Sequence, residues 1–169
     1  MSEYYSIVAP VETTLKVKNS TFMALLRAAE TREQAEACLT ERRRQYPDAT
    51  HHCYAFRIGF DERLIAKSGD DGEPAGTAGR PILQALERRH LTNILAVITR
   101  YFGGTLLGTG GLVKAYTEST QMVVNAVPRG RRVPVHVVMF VIPYPLLERM
   151  RAVAALHDNQ PLVHQQVAR

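Results

Sequence analysis

The stretch NILAVITRYFGGTLLGTGGLVKAY, residues 93–116, decides the fold that the sequence predicts. It begins with a continuous apolar run over 93–99, which is typical of a central β-strand covered on both faces. Five glycines follow. A long helix is then predicted over about 109–126, with Leu112, Ala115 and Tyr116 on one face. A buried strand that leads through a glycine-rich loop into a helix indicates a mixed α and β architecture.

Further strands and helices are predicted on both sides of this stretch. Alternating and β-branched runs predict strands over 4–8, 13–18, 21–29 and 52–60, with an antiparallel return over 64–67. A helix is predicted over 31–46, because Thr31 suits the N-cap and Pro47 stops it. Another helix is predicted to begin near Arg80-Pro81, since proline suits the first helical position. Residues 128–132, PRGRR, are interpreted as a linker, followed by a strand over 133–142 and a helix over 145–157.

The composition is that of an ordinary globular protein. The 169 residues are 46% hydrophobic and 22% charged, enough for one domain or for one domain with a small partner. No apolar run reaches the roughly 18 residues of a membrane span. The first ten residues show no secretory leader, so a cytoplasmic location is expected. Only two cysteines occur, Cys38 and Cys53, which excludes a disulfide scaffold or a cysteine zinc cluster.

The net charge of +5 is concentrated towards the end of the chain. Residues 1–128 carry 15 basic and 14 acidic side chains, whereas residues 129–169 carry six and two. A basic balance is compatible with a polyanionic partner. Exposed arginine runs are candidates for contacts with nucleic-acid phosphates, although such a run is also the usual form of a solvated surface; they are Arg42, Arg43, Arg44, Arg129, Arg131 and Arg132.

Two glycine-rich segments, SGDDGEPAGTAGRP (68–81) and TRYFGGTLLGTGGLVKAY (99–116), are candidates for binding a phosphate or another anion. Glycines free the backbone to direct several N–H groups one way, and a following helix N-terminus adds unpaired donors. Neither segment has a known phosphate-loop or dinucleotide-loop spacing, so tight turns and close packing remain the alternative. The candidate residues are Asp70, Asp71, Gly72, Glu73, Gly76, Thr77, Gly79, Arg80, Arg100, Tyr101, Gly103, Gly104, Gly110, Gly111 and Lys114.

The acids of the first segment raise the question of a metal. Adjacent residues of an extended chain point in opposite directions, so Asp70 and Asp71 are not expected to share an ion, whereas Asp71 and Glu73 could hold magnesium or calcium. The favoured alternative is that these carboxylates accept hydrogen bonds from the N–H groups of their own loop. No metal and no cofactor is therefore predicted.

The run His51-His52-Cys53 contains residue types of metal sites and of nucleophilic catalysis. Consecutive side chains of a strand diverge, so the three are not expected to meet at one centre, although one of them could lie near the acidic segment. Structural histidines and a core thiol are favoured. The sequence assigns no catalytic residue and favours a non-enzymatic protein over an enzyme.

Taken together, the motifs resemble the IMPACT/YigZ family of the bacterial type over about residues 1–128. They are KVKNSTFMALL (16–26), ATHHCYAFRI (49–58), DDGEPAGTAGRPIL (70–83) and ITRYFGGTLLGTGGLVKAY (98–116). The resemblance implies an α+β class and a left-handed βαβ two-layer domain, similar to a ribosomal-protein domain and to domain IV of elongation factor G. It also implies a role in translation, since the eukaryotic relatives regulate initiation under stress by competing for a kinase activator. The family supplies no catalytic residues.

Bacterial members of that family carry a second, ferredoxin-like domain, and here this sequence departs from the pattern. Residues 129–169 suffice for one half of such a domain, so a partial ferredoxin-like segment is expected. Whether the chain is naturally short, truncated, or completed by homo-oligomer formation through this segment stays open.

Three functions follow from these observations, in this order of preference. The first is a translation- or stress-related regulator that binds RNA, the ribosome or a translation-associated protein. The second is a protein-interaction scaffold without direct RNA contact. The third is an enzyme that binds a phosphorylated or metal-bound small ligand at the two glycine-rich segments.

Overall fold

The computed structural model describes residues 4–127, 129–132 and 143–155, and the chain divides into two compact units after Val133. Along the chain, the strands are β1 (Tyr4–Ile7), β2 (Val11–Val17), β3 (Ser20–Ala28), β4 (His51–Ile58), β5 (Ile65–Gly69), β6 (Ile94–Tyr101) and β7 (Arg129–Arg132). The helices are α1 (Arg32–Gln45), α2 (Gly79–Glu87), α3 (Gly108–Asn125) and α4 (Leu147–Ala155). The predicted α+β class is confirmed.

A five-stranded antiparallel sheet forms the centre of the first unit, in the order β2-β3-β6-β4-β5. The prediction of a central strand at 93–99 is confirmed, because β6 pairs with β3 on one side and β4 on the other. Its residues 94–100 are all buried. The predicted antiparallel return is β5, which pairs with β4.

Helices cover both faces of this sheet. Alternate residues of β6, such as Ile94 and Ile98, share one core cluster with α2 and α3. The intervening residues, Leu95 and Val97, share a second cluster with α1. The structure therefore has three layers where the resemblance implies two, because β4 and β6 present apolar side chains on both faces and each face needs a cover.

Helix α1 confirms the prediction made for 31–46. The side chain of Thr31 accepts a hydrogen bond from the backbone N–H of Gln34 at 3.3 Å, which caps the first turn. The helix ends before Pro47, and its buried face carries Ala35, Cys38 and Leu39.

The segment interpreted as a linker contains a strand. Residues 129–132 form β7, which pairs antiparallel with β1 and lies within the first unit. Strand β1 is in turn tied to the main body, because the N–H of Tyr5 donates to the carbonyl of His90 and Tyr5 accepts from the N–H of Thr92. The segment that follows α3 is thus paired with the N-terminal strand β1. The basic composition of 128–132 gives no sign of this strand.

The second unit is described only over 143–155. Its helix α4 follows a single 3-10 turn at Tyr144–Leu146, within the helix predicted over 145–157. The strand predicted over 133–142 lies outside the described residues. The partial ferredoxin-like segment, the domain division after residue 128 and association through this segment stay predictions. Among the described residues, no helix is long and apolar enough to cross a membrane.

Candidate functional site

The two glycine-rich segments meet at one end of the sheet. Strand β6 ends there at Tyr101, β4 begins there at His51, and the turn between β2 and β3 lies beside them. We call this region the loop end. The first glycine loop, residues 70–78, connects β5 with α2, and the second, residues 102–107, connects β6 with α3.

A buried ion pair connects the two loops on the inner side of the loop end. Nη1 of Arg100, at the end of β6, lies 2.5 Å from Oε1 of Glu73 in the first glycine loop, and the side chains are 5% and 3% exposed. The hydroxyl of Tyr116, from α3, donates to the same carboxylate oxygen at 2.7 Å. Loop, strand and helix are therefore fastened to one carboxylate.

Arg100 also reaches the hairpin between β2 and β3. Its Nη2 donates to the hydroxyl of Ser20 at 3.3 Å, and the backbone N–H of Gly103 donates to the same oxygen at 3.3 Å. A Cβ on Gly103 would lie 1.9 Å from the carbonyl oxygen of Asn19, so only glycine permits this approach of the two loops. Close packing, rather than anion binding, therefore explains why residue 103 is a glycine.

Asp70 organises the first glycine loop and the start of α2. Its carboxylate accepts hydrogen bonds from the backbone N–H groups of Gly76, Ala78 and Gly79, at 2.8 to 3.0 Å. Burial by itself raises the pKa of this carboxyl, but the three amide hydrogen bonds outweigh it and hold the pKa below its usual value. The sequence favours carboxylates that accept hydrogen bonds from their own loop, and Asp70 does so.

Asp71 connects the same loop with α1 and β4. Its carboxylate lies 2.6 Å from Nη2 of Arg43 and accepts from the backbone N–H of His52 at 2.6 Å. Its carbonyl oxygen lies 2.8 Å from Nδ1 of His51. Asp71 and Glu73 thus bind separate cations of the protein. Among the described residues, no group of three His, Cys, Asp or Glu side chains could hold a metal ion.

The sequence allows one residue of the run His51-His52-Cys53 near the acidic segment, and the structure places all three there. All three contact it, His51 and Cys53 with side-chain atoms and His52 through its backbone N–H. Side chains of a strand do diverge, but the loop runs across the end of β4 and meets the backbone as well as one face.

Cys53 is not an activated nucleophile. Its thiol donates to the carbonyl of Asp70 at 2.9 Å, and its sulfur lies 3.3 Å from the hydroxyl oxygen of Tyr116. Burial raises the pKa of this thiol to about 12, so it is protonated at neutral pH. Burial likewise raises the pKa of Tyr116. These groups stay neutral and fix the loop.

Arg42 must be withdrawn from the candidates for nucleic-acid contact. Its side chain is 1% exposed and donates from Nη1 to Glu12 at 2.9 Å and from Nε to Thr99 at 3.2 Å. The same hydroxyl of Thr99 lies 3.2 Å from Nδ1 of His52. Burial lowers the pKa of His52, which is therefore a neutral structural histidine at pH 7.

The remaining cationic candidates lie at different places. Arg43 and Arg44 are exposed in the last turn of α1, and Arg80 is exposed in the first turn of α2. Lys114 is exposed on α3, near the second glycine loop. Arg129, Arg131 and Arg132 lie in β7, away from the sheet that carries the loops.

The other candidates divide into packed and open positions. The hydroxyl of Thr77 donates to Pro74, and a Cβ on Gly79 would lie 2.8 Å from the backbone nitrogen of Gly69, so both serve the fold. Tyr101 donates to Asp48 at 2.9 Å. At Gly76, Gly104 and Gly110, an added Cβ would have no atom within 4 Å. At the exposed Gly72 it would contact His51, and at Gly111 it would contact Leu107.

Sequence reasoning missed the aromatic surface of the loop end. Phe102 is 44% exposed, and its ring lies 5.6 Å from the guanidinium carbon of Arg100. Its backbone N–H donates to Thr50, just beyond α1, so Tyr101 and Phe102 lie beside the helix that carries Arg43 and Arg44. No alternation of arginines and aromatics in the sequence signals this, because the neighbours come from segments far apart in the chain.

The comparisons with known proteins agree with these motifs. The family model of the Impact N-terminal domain matches residues 18–124. The chain is 40% identical over 135 residues to IMPACT family member YigZ of Escherichia coli (strain K12), covering 79% of this chain and 66% of the relative. It is 38% identical over 125 residues to IMPACT family member YvyE of Bacillus subtilis (strain 168), covering 74% and 57%.

A solved crystal structure, described as that of an hypothetical protein, has the same fold. It matches with a TM-score of 0.72 and 34% identity, over 92% of this chain and 76% of that one. The chain thus spans between a half and two thirds of the length of these two bacterial relatives.

Proposed function

Because the chain belongs to the family of the Impact N-terminal domain, we propose that it is a translation- or stress-related regulator that binds RNA, including the RNA of the ribosome, through the loop end. The role in translation is what the resemblance to the IMPACT/YigZ family implies. The direct contact with RNA is supported by the chemistry of the loop end itself.

The observation that carries the proposal is the combination of cations, an aromatic ring and open backbone at one end of the sheet. Arg44 and Arg80 are exposed there, and neither has an ion pair within the described part of the chain. Phe102 is 44% exposed in the second glycine loop, two residues before the open Gly104. Guanidinium groups bind phosphates, and an exposed aromatic ring stacks on an unpaired base.

Three of the four acids at the loop end do not oppose this binding, and the fourth, the exposed Asp48, accepts a hydrogen bond from Tyr101. Glu73 is neutralised by Arg100, Asp71 by Arg43, and the carboxylate of Asp70 is covered by three amide groups. Buried and paired carboxylates contribute little negative potential at the surface. Apart from Asp48, the charges left exposed and unpaired at the loop end are therefore those of the arginines.

The same geometry disfavours the enzyme hypothesis. The thiol of Cys53 is protonated and hydrogen-bonded, and Tyr116 donates to a carboxylate already paired with an arginine. None of these groups offers a reactive atom to a ligand. The polar residues of the two loops hold the surface in position, and the exposed residues around them are the binding elements.

The test is a salt series of filter binding with a single-stranded RNA and a structured ribosomal RNA fragment. We expect the double variant Arg44→Ala/Arg80→Ala to bind more weakly than the wild type and to reduce the salt slope by about 0.7 for each lost phosphate contact. The matched control is Arg63→Ala/Arg88→Ala, which removes two exposed arginines away from the loop end. Equal losses in both variants, or wild-type binding without a salt slope, would refute RNA binding at this surface.

A further inference from the structure

The outer edge of β2 and the groove beside it form a second surface, which the proposed RNA site does not use. Strand β2 is at the end of the sheet order, and no described strand pairs with its outer side. A groove of about 380 Å³ lies between β2 and α3. We propose that this surface binds an extended acidic peptide segment of a partner protein, which adds to β2 as a further antiparallel or parallel strand.

The register of the hairpin determines which backbone groups face outward. Val17 pairs with Ser20 across a two-residue turn, in which Lys18 has a φ of 52°. The pair that closes a two-residue turn exchanges both backbone hydrogen bonds, and hydrogen-bonded pairs alternate along the strand. Glu12, Thr14 and Lys16 therefore direct their N–H and C=O groups away from β3, which leaves a ladder available to another strand.

The groove supplies a place for the side chains of such a strand. Its apolar wall is made of Leu15 and Val17 of β2 and of Leu107 and Ala115 beside and within α3. Leu15, Val17 and Leu107 are half-buried against the main core, so the groove is continuous with packed structure. Its volume is within the range of binding clefts, and alternate side chains of an added strand would point into it.

Charge selects the chemistry of the partner. Two lysines, Lys18 and Lys114, face the groove, against one acid, Glu118, while the side chain of Lys16 alternates with Leu15 and Val17 and lies on the other face of the edge strand. Nζ of Lys18 is 3.4 Å from the carbonyl oxygen of Leu106, and none of the three lysines has an ion pair in the described part of the chain. Carboxylates of an approaching strand would complete these pairs, whereas a basic segment would be repelled.

A lysine on an edge strand can also serve only to prevent aggregation. That role needs a single charge on the strand itself. Here Lys114 comes from a helix, faces the same groove as Lys18 and is 96 residues from it in the sequence. The clustering of lysines from two elements around an apolar wall is what favours a bound acidic strand.

The test uses a synthetic peptide of alternating glutamate and valine, a matched peptide of alternating lysine and valine, and the full chain. We expect the acidic peptide to bind and the basic peptide to bind at least tenfold more weakly. Amide hydrogen exchange of the wild type should show protection at 12, 14 and 16 on addition of the acidic peptide, and no change in β5. Protection elsewhere, or equal binding of the two peptides, would overturn the proposal.

Two variants locate the contact. Thr14→Pro removes an outward N–H, which an edge strand tolerates, and should abolish peptide binding without loss of the folded far-UV spectrum. Lys114→Glu should weaken peptide binding at least tenfold, while Lys67→Glu, on the opposite edge strand β5, should leave it unchanged. Peptide binding by Thr14→Pro at wild-type strength would refute strand addition.

Two further outcomes distinguish peptide binding at β2 from self-association and from RNA binding at the loop end. Protection of β2 that depends on protein concentration without peptide would show that a second copy of the chain is the occupant, against a peptide partner. RNA binding should be unchanged in Thr14→Pro. A variant that loses peptide and keeps RNA therefore separates this surface from the proposed RNA site, and failure of either experiment leaves the other intact.

Discussion

Glu73 and Arg100 form an ion pair that links the two glycine loops from inside the protein. The nitrogen and oxygen atoms are 2.5 Å apart, and the side chains are 3% and 5% exposed. Both residues were candidates for ligand binding, yet each is turned inward. The pair positions the loop end from inside, and under the proposed function the exposed residues around it bind the ligand.

Removing one partner of this pair should destabilise the protein strongly. Glu73→Ala leaves the guanidinium of Arg100 buried without its counter-charge, so we expect the free energy of unfolding to fall by about 3–5 kcal/mol. The double variant Glu73→Leu/Arg100→Met should recover much of this loss. Urea denaturation measures both. As a control, Glu36→Ala removes a carboxylate from exposed pairs with Arg32 and Lys67 and should not change the midpoint. Additive losses in the double variant would contradict a coupled pair.

Asp70 should make the stability of the fold depend on pH in acid. Its pKa is held below the usual value, so its contribution is present above its unfolded pKa of about 3.9 and is lost as the pH falls through the lower folded pKa. Asp70→Asn should cost about 1–2 kcal/mol at pH 7, as for loss of a helix cap, and should reduce the fall in stability between pH 5 and pH 2. Urea denaturation at each pH gives the comparison. If Asp70→Asn had the same pH profile of stability as the wild type, the three amide hydrogen bonds would not lower the pKa of Asp70.

Gly103 and Gly110 should respond in opposite ways to alanine. A Cβ at Gly103 would lie 1.9 Å from the carbonyl oxygen of Asn19, so Gly103→Ala forces the second glycine loop away from the hairpin. We expect a loss of about 1–3 kcal/mol, as for other overpacked sites. Gly110 lies in α3 with nothing within 4 Å of a Cβ, and Gly110→Ala should add about 0.5–1 kcal/mol. Thermal unfolding of the two variants gives the comparison. A lower unfolding temperature for Gly110→Ala would contradict the open space around Gly110.

Cys53 should be inert in the folded protein. Its pKa of about 12 keeps it a thiol at pH 8, and it is fully buried. In a Cys38→Ala background, an aromatic disulfide reagent should therefore label Cys53 only at the rate of unfolding. Because the folded pKa is raised, the stabilisation is present below about pH 8.5 and declines as the pH rises towards 12. Rapid labelling under native conditions would show that the loop end opens around β4.

Local patterns in the sequence were sufficient for the elements of the sheet. The apolar run at 93–99 predicts a buried strand, and Thr31 with Pro47 predicts the ends of α1, because these signals depend on neighbours within a few residues. The third layer was not predictable in this way. It depends on β6 being apolar on both faces and on which helix covers each face, which is a property of the topology.

The site shows the same limit. Asp70 bonds to amides of its own loop, and this was anticipated from residue type and spacing alone. Ser20, Thr99 and Tyr116 were not identified as polar partners, because their contacts join residues that are 43 to 83 positions apart along the chain. The ion pair of Arg42 was hidden for the same reason, since its partner Glu12 lies on an earlier strand.

Phe102 should carry much of the affinity for single-stranded RNA if the loop end is the RNA site. Its ring is 44% exposed beside Arg100, and a base that stacks on it gains about 1–3 kcal/mol, so Phe102→Ala should weaken binding by roughly 5- to 150-fold. Phe102→Tyr retains the ring and should keep most of the affinity. The matched control is Val113→Ala, which truncates another exposed apolar side chain, 39% exposed, on α3. Fluorescence anisotropy with a short labelled oligonucleotide measures all three. If Phe102→Ala and Val113→Ala bind equally, stacking on Phe102 contributes nothing, and RNA contact at the loop end would rest on the arginines alone.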